Sequence, residues 1–160
     1  ITGTGGTAAV LFLGAACAGA TGGYFNELAG GEFTSGYIGG FVSGAIQGTM
    51  GLLGPLGTVF GGSIGSGVGT FIAGALDNTW GSATVRKTTG ELAKSAVQSA
   101  MVALGTSAVT GFMDYSVRLA VPTKANGLMP CLTETFGNMI VSFYGAIDDA
   151  MTYLLIMGAK

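Results

Sequence analysis

Few residues in this 160-residue chain could carry chemistry. There is no histidine, so the commonest general base is missing. The only thiols are Cys17 and Cys131. Cys17 sits in the stretch GAACAGA, with no cation or base beside it in sequence, which marks an inert thiol rather than a nucleophile. The two cysteines could pair in an oxidising compartment or fill two small buried sites, and the sequence leaves both readings open. No zinc-ligand spacing occurs. Asp148 and Asp149 are adjacent, and neighbours at i and i+1 do not share a helix face, so they read as a solvated face or cap rather than an acid–base pair. The opening GTGG lacks the lysine and the second spaced glycine of a phosphate loop. Glu27, Glu32, Asp77 and Asp114 read as markers of helix ends. The expectation is a protein that is not an enzyme, with no catalytic residue, cofactor or metal site and no small-molecule substrate. The six Lys and Arg residues are scattered apart from Arg86-Lys87, which argues against nucleic acid, since neutralising phosphates takes clustered cations.

What remains is packing. Glycine accounts for 31 residues, against a usual share of roughly 7%. Charged residues make up 9%, where about 25% is usual for a soluble domain. The strict three-residue glycine period of collagen is absent. Disorder goes with low hydrophobicity and high net charge, whereas 49% of this chain is apolar and its formal charge is −2. Three settings survive: a membrane, the inside of a large assembly, or a fragment of a larger protein. The chain opens at Ile1 rather than Met, as a processed product would. No basic region precedes the first apolar stretch, so residues 1–26 do not read as an intact signal peptide.

The elements that carry these residues are outlined by where charge is missing. No charged residue occurs from Ile1 to Asn26, nor from Phe33 to Leu76. The second gap has room for two helices of bilayer-spanning length, and Gly54-Pro55 breaks it near its middle. Residues 77–94 read as a polar connector, with Thr88 or Thr89 capping the next helix and Glu91 in its first turn. Asp114, Arg118 and Lys124 mark a second polar segment, broken by Pro122, Gly127 and Pro130. The fold class is all-α: one close-packed helical domain over 1–160, with about five helices at 7–25, 35–52, 56–76, 90–113 and 133–157. Within it, 7–76 holds the glycine-rich helices and 95–160 the C-terminal ones.

The sharpest pattern lies in the middle. Gly36, Gly40, Gly44 and Gly48 stand four residues apart, and after the break Gly57, Gly61, Gly65 and Gly69 repeat the spacing, extended by Ala73. On a helix such positions share one face. Each run predicts a groove that another backbone can enter, a glycine-zipper hairpin. Glycine costs about 1 kcal/mol per helix position relative to alanine, so eight of them cost roughly 8 kcal/mol unless close contact compensates. Weaker small-residue faces flank the hairpin: Ala15, Gly19 and Gly23; Gly14, Ala18 and Gly22; and Ala93, Ala96, Ala100, Ala103, Ser107 and Gly111. Phe136, Ile140, Phe143 and Ile147 form a bulky stripe that reads as core.

The stretch GGFVSGAIQGTMGLLGPLGTVFGGSIGSGVGTFIAGALDN, residues 39–78, resembles glycine-rich segments near the C-termini of bacterial polymorphic toxins of the RHS-repeat and LXG types. GELAKSAVQSAMVALGTSAVTG, residues 90–111, is similar to the helix that follows there. The resemblance covers about half the chain. It implies a secreted or membrane-associated bacterial product whose partners are a lipid membrane and further copies of itself, forming a pore or helping a toxin cross a bilayer. A fainter similarity links GGEFTSGYIGGFVSGAIQG, residues 30–48, to the inner-membrane translocase family of mitochondria. A structural class stands beside these: a subunit of an extracellular filament, tube or shell, held by the same helix contacts.

Overall fold

The computed structural model describes residues 2–81 and 86–120, together with Leu154, Leu155 and Gly158. Among them are four long helices and no strand: α1 (Thr2–Leu28), α2 (Phe33–Gly51), α3 (Pro55–Trp80) and α4 (Thr89–Ala120). The expected fifth helix, 133–157, lies outside the described residues apart from Leu154 and Leu155, which are helical. Cys131 and the Phe136–Ile147 stripe lie outside them as well.

The helix ends follow from local chemistry. Gly30 ends α1 with a positive φ of 88°. Around it the Gly31 N–H donates to the Asn26 carbonyl at 2.8 Å and the Gly30 N–H to the Glu27 carbonyl at 3.0 Å, the paired bonds of a Schellman cap. Gly54 has φ 99° and ψ −168°, a region open only to glycine, and Pro55 follows as the first residue of α3, where its missing N–H costs nothing. Thr88 and Glu91 form a capping box at the start of α4. The Thr88 N–H and hydroxyl donate to the Glu91 carboxylate at 2.7 and 2.9 Å, and the Glu91 N–H donates to the Thr88 hydroxyl at 3.3 Å.

Two boundaries differ from the sequence expectation. The polar connector is shorter than 77–94: Asp77, Asn78 and Trp80 complete α3, and Glu91 and Lys94 belong to α4. The Asn78 amide brackets the intervening loop, donating to the Lys87 carbonyl at 2.7 Å and accepting from the Lys87 N–H at 2.8 Å. At the other end α4 runs through Asp114 and Arg118 to Ala120, because charge alone does not stop a helix, whereas the approach of Pro122 does.

The four described helices pack in a row. α1 packs on α2, α2 on α3 and α3 on α4, and no other pair of described helices makes more than incidental contact. Each pair is antiparallel. Along α2 and α3 the close approaches run Gly39–Gly69, Ser43–Gly65, Gln47–Gly61 and Met50–Gly57. The result is an open row of alternating helices with α1 at one edge and α4 at the other.

Candidate functional site: a small-residue interior under an apolar surface

The two four-residue runs occupy different interfaces. Gly36, Gly40, Gly44 and Gly48 face α1, whereas Gly57, Gly61, Gly65 and Gly69 face α2, so the runs do not meet each other across the hairpin. A methyl group at Gly36 would strike the Gly22 carbonyl, and one at Gly40 the Ala18 carbonyl. At Gly44 it would lie 2.7 Å from the Ala18 methyl, and at Gly48 2.7 Å from a Leu11 methyl. Gly57 lies against the Met50 carbonyl. A methyl at Gly61 would sit 2.8 Å from the Met50 Cβ, at Gly65 2.6 Å from the Ser43 carbonyl oxygen, and at Gly69 2.5 Å from the Gly39 carbonyl oxygen. Ala73 is buried and lies beside Gly39.

The sequence reading missed the partners of these runs. α2 meets α3 through Gly39, Ser43, Gln47 and Met50, a face with a single glycine. α3 turns a second small face to α4: Gly62 lies against the Ser107 hydroxyl, Gly67 against Ala96 and Ala100, and Gly74 against Leu92. The seven-residue step from Gly67 to Gly74 was the available signal. Of the expected α4 stripe, Ala96, Ala100, Ala103 and Ser107 lie on the α3 side, but Ala93 is exposed, because Leu92 takes the buried place beside Gly74. On α1, Gly19 and Gly23 make room for Tyr37 and Phe33. These rings stack along α2 with Phe41, at centroid distances of 6.2 and 6.4 Å, and Phe12 meets Phe41 edge-on at 5.6 Å.

The interior is therefore small and partly polar. The largest fully buried side chains among the described residues are Ser35, Ser99 and Ser107. Hydroxyls bond between helices: Ser63 donates to the Ala100 carbonyl at 2.8 Å, and Thr70 to the Ser99 hydroxyl at 2.9 Å. Many large apolar residues of the described helices face outward. Phe60, Ile64, Val68 and Phe71 form an exposed stripe along α3, and Val97, Met101 and Leu104 form one along α4. The α2–α3 turn is an uncharged apolar tip, with Leu53 78% and Leu56 72% exposed. A folded monomer in water normally has the reverse arrangement, with large apolar side chains inside and serine outside.

The charges from Glu27 to Lys94 gather at the opposite end, whereas Asp114 and Arg118 fall on the last turns of α4. The C-termini of α1 and α3 and the N-termini of α2 and α4 share one rim, carrying Glu27, Glu32, Asp77, Arg86, Lys87, Glu91 and Lys94. Asp77 is buried there. Its carboxylate accepts from the Asn26 amide at 3.0 Å and from the Glu32 N–H at 2.9 Å, tying the α1–α2 turn to the end of α3. The Thr88 N–H and hydroxyl hold the exposed Glu91 carboxyl below its ordinary pKa, with Lys87 adding a smaller pull. From Asp77 back to Pro55, α3 rises about 33 Å without a charge, and α4 rises about 30 Å between Lys94 and Asp114. These lengths match a bilayer hydrocarbon core of about 30 Å.

Cys17 is half-buried in α1, and Cys131 lies outside the described residues, so their pairing does too. Among the described residues no three His, Cys, Asp or Glu side chains gather where a metal ion could sit. No protein-family model, curated protein or solved structure matches the chain.

Proposed function

We propose that this chain is a membrane-active helical array that inserts into a lipid bilayer and self-associates there, forming a pore or carrying a toxin polypeptide across. One observation carries the reading: the inverted distribution of side chains, with glycine, alanine and serine inside, large apolar residues outside, and a charge-free band about 30 Å deep above a charged rim. In lipid, outward-facing Phe60, Ile64, Val68 and Phe71 have a suitable solvent, and helices associate through backbone approach and interhelical hydroxyl bonds rather than through hydrophobic burial. On this reading the glycine runs act as zippers that let backbones close in. α3 has the length and composition of a membrane-spanning helix. The resemblance of residues 39–78 and 90–111 to polymorphic-toxin segments supports the same reading, and with it a secreted bacterial origin.

A structural reading is favoured by a different observation. Among the described helices only α3 has that length and composition; glycine, serine and threonine dilute the others. Further copies could cover the same apolar faces in a filament, tube or shell without lipid.

Adding the purified chain to dye-loaded vesicles separates the two. Rapid release is the expected result. No release, with ordered fibres under the electron microscope, would sink insertion in favour of the structural subunit. Replacing both Gly44 and Gly61 with Leu should abolish release and assembly alike, since a methyl group alone already meets Ala18 and Met50 at under 3 Å. Survival of both after the double change would overturn the zipper reading itself.

A further inference from the structure

We propose that copies of this chain join edge to edge, head to tail, with the outer face of α4 in one copy docking on the outer face of α1 in the next. The proposal rests on the self-association reading above and names its interface and polarity. α1 and α4 are the two edges of the row, each packed on one side only among the described helices. On the side of α1 away from α2 stand Leu13, Ala20 and Tyr24, all exposed. On the side of α4 away from α3 stand Val97, Met101 and Leu104, with Met101 71% exposed.

Direction and height agree. α1 runs toward the charged rim and α4 away from it, so a second copy set alongside in the same orientation continues the antiparallel alternation. The approaches Leu11–Gly48, Gln47–Gly61 and Gly62–Ser107 mark one level across the row, which places Leu13 and Leu104 at nearly the same height.

Charge sets the polarity. The rim at α1 and α2 carries Glu27 and Glu32, and no Lys or Arg precedes Arg86 in the chain. The rim leading into α4 carries Arg86, Lys87 and Lys94 against Glu91 alone, and Glu91 is engaged by Thr88. None of Glu27, Arg86 and Lys94 has an ion-pair partner among the described residues. Head-to-tail contact brings Lys94 of one copy beside Glu27 of the next. An α4–α4 contact with both copies upright sets Lys94 against Lys94, and an α1–α1 contact sets Glu27 against Glu27. Turning one copy over places its charged rim at the level of the other's far end, where α1 is uncharged and α4 carries Asp114 and Arg118. The upright head-to-tail contact covers both apolar faces and pairs Lys94 with Glu27, and such contacts propagate into rings or open filaments.

The test uses the full chain with Cys17→Ala and Cys131→Ser, carrying either Leu13→Cys or Leu104→Cys. Mixed under oxidising conditions, the two should form a mixed disulfide well above either homodimer. Equal or greater cross-linking of either variant alone would overturn the proposal. Lys94→Glu should lower the mixed yield about two- to fivefold, and adding Glu27→Lys to the same chain should restore it. An unchanged yield with Lys94→Glu, or no recovery with the double swap while circular dichroism shows intact helices, counts against it. Vesicle flotation of the same samples reads membrane association separately. Flotation without the mixed disulfide rejects this interface and leaves the membrane reading standing, whereas the mixed disulfide without flotation does the opposite.

Discussion

A single methyl group can test whether the α2–α3 contact is as close as its glycines require. Gly65→Ala places that methyl 2.6 Å from the Ser43 carbonyl oxygen. Reaching ordinary contact requires α3 and α2 to separate by about 0.8 Å, enough to lose a quarter to a half of the dispersion energy at neighbouring contacts. Overpacking of this kind costs about 1–3 kcal/mol. The same substitution gains about 1 kcal/mol of helix propensity, which obscures the effect when the variant is measured alone. Gly105→Ala is the matched control: it lies in α4 with nothing within 4 Å of the added methyl, so only the propensity gain applies. Propensity cancels between the two variants, leaving Gly65→Ala about 1–3 kcal/mol less stable than Gly105→Ala. Denaturant unfolding in a mild detergent, followed by circular dichroism, measures that difference. If Gly65→Ala proves as stable as Gly105→Ala, the close approach is not what holds α2 to α3.

Three further outcomes are expected. Asp77→Ala leaves the Glu32 N–H without its acceptor and the Asn26 amide with only the Glu32 carbonyl, which should cost about 1–3 kcal/mol and speed hydrogen exchange at Glu32; unchanged exchange there would reject the clamp. Gly54→Ala must hold a side chain at φ 99° and should lower stability by about 1–3 kcal/mol, and a neutral result would mean the turn has another conformation. Thr88→Ala removes the hydroxyl of the α4 cap at a cost of about 1 kcal/mol and raises the Glu91 pKa only part of the way toward its ordinary value, because the backbone N–H of residue 88 and Lys87 still hold the carboxylate, a shift measurable by carboxyl NMR titration. The lowered folded-state pKa of Glu91 means its contribution is present above the ordinary carboxylate pKa and fades as pH falls through the lowered value, so in the wild type acid should loosen the start of α4.

Much of the fold was legible along the chain because its signals are local. Gly54-Pro55 marks a helix stop by itself, Thr88 or Thr89 with Glu91 marks the start of α4, and missing charge outlines the middle of each helix but not its ends. The four-residue glycine runs reveal smooth grooves because helical periodicity brings them to one face. Which neighbour enters each groove is a different kind of fact. The run from Gly36 to Gly48 takes α1 and the run from Gly57 to Gly69 takes α2, although the two runs look like natural partners in sequence. Their pairing depends on how α2 is rotated between two helices at once, and no local spacing encodes that rotation. For the same reason Gly39 and Ser43, and the second α3 face at Gly62, Gly67 and Gly74, emerged only in three dimensions. Composition could say that this chain has little charge to cover a surface. Only the tertiary arrangement decided that small residues of the described helices lie inside, that Phe60, Ile64, Val68 and Phe71 lie outside, and that the charges from Glu27 to Lys94 share one rim, because sidedness belongs to packed helices and not to any one of them.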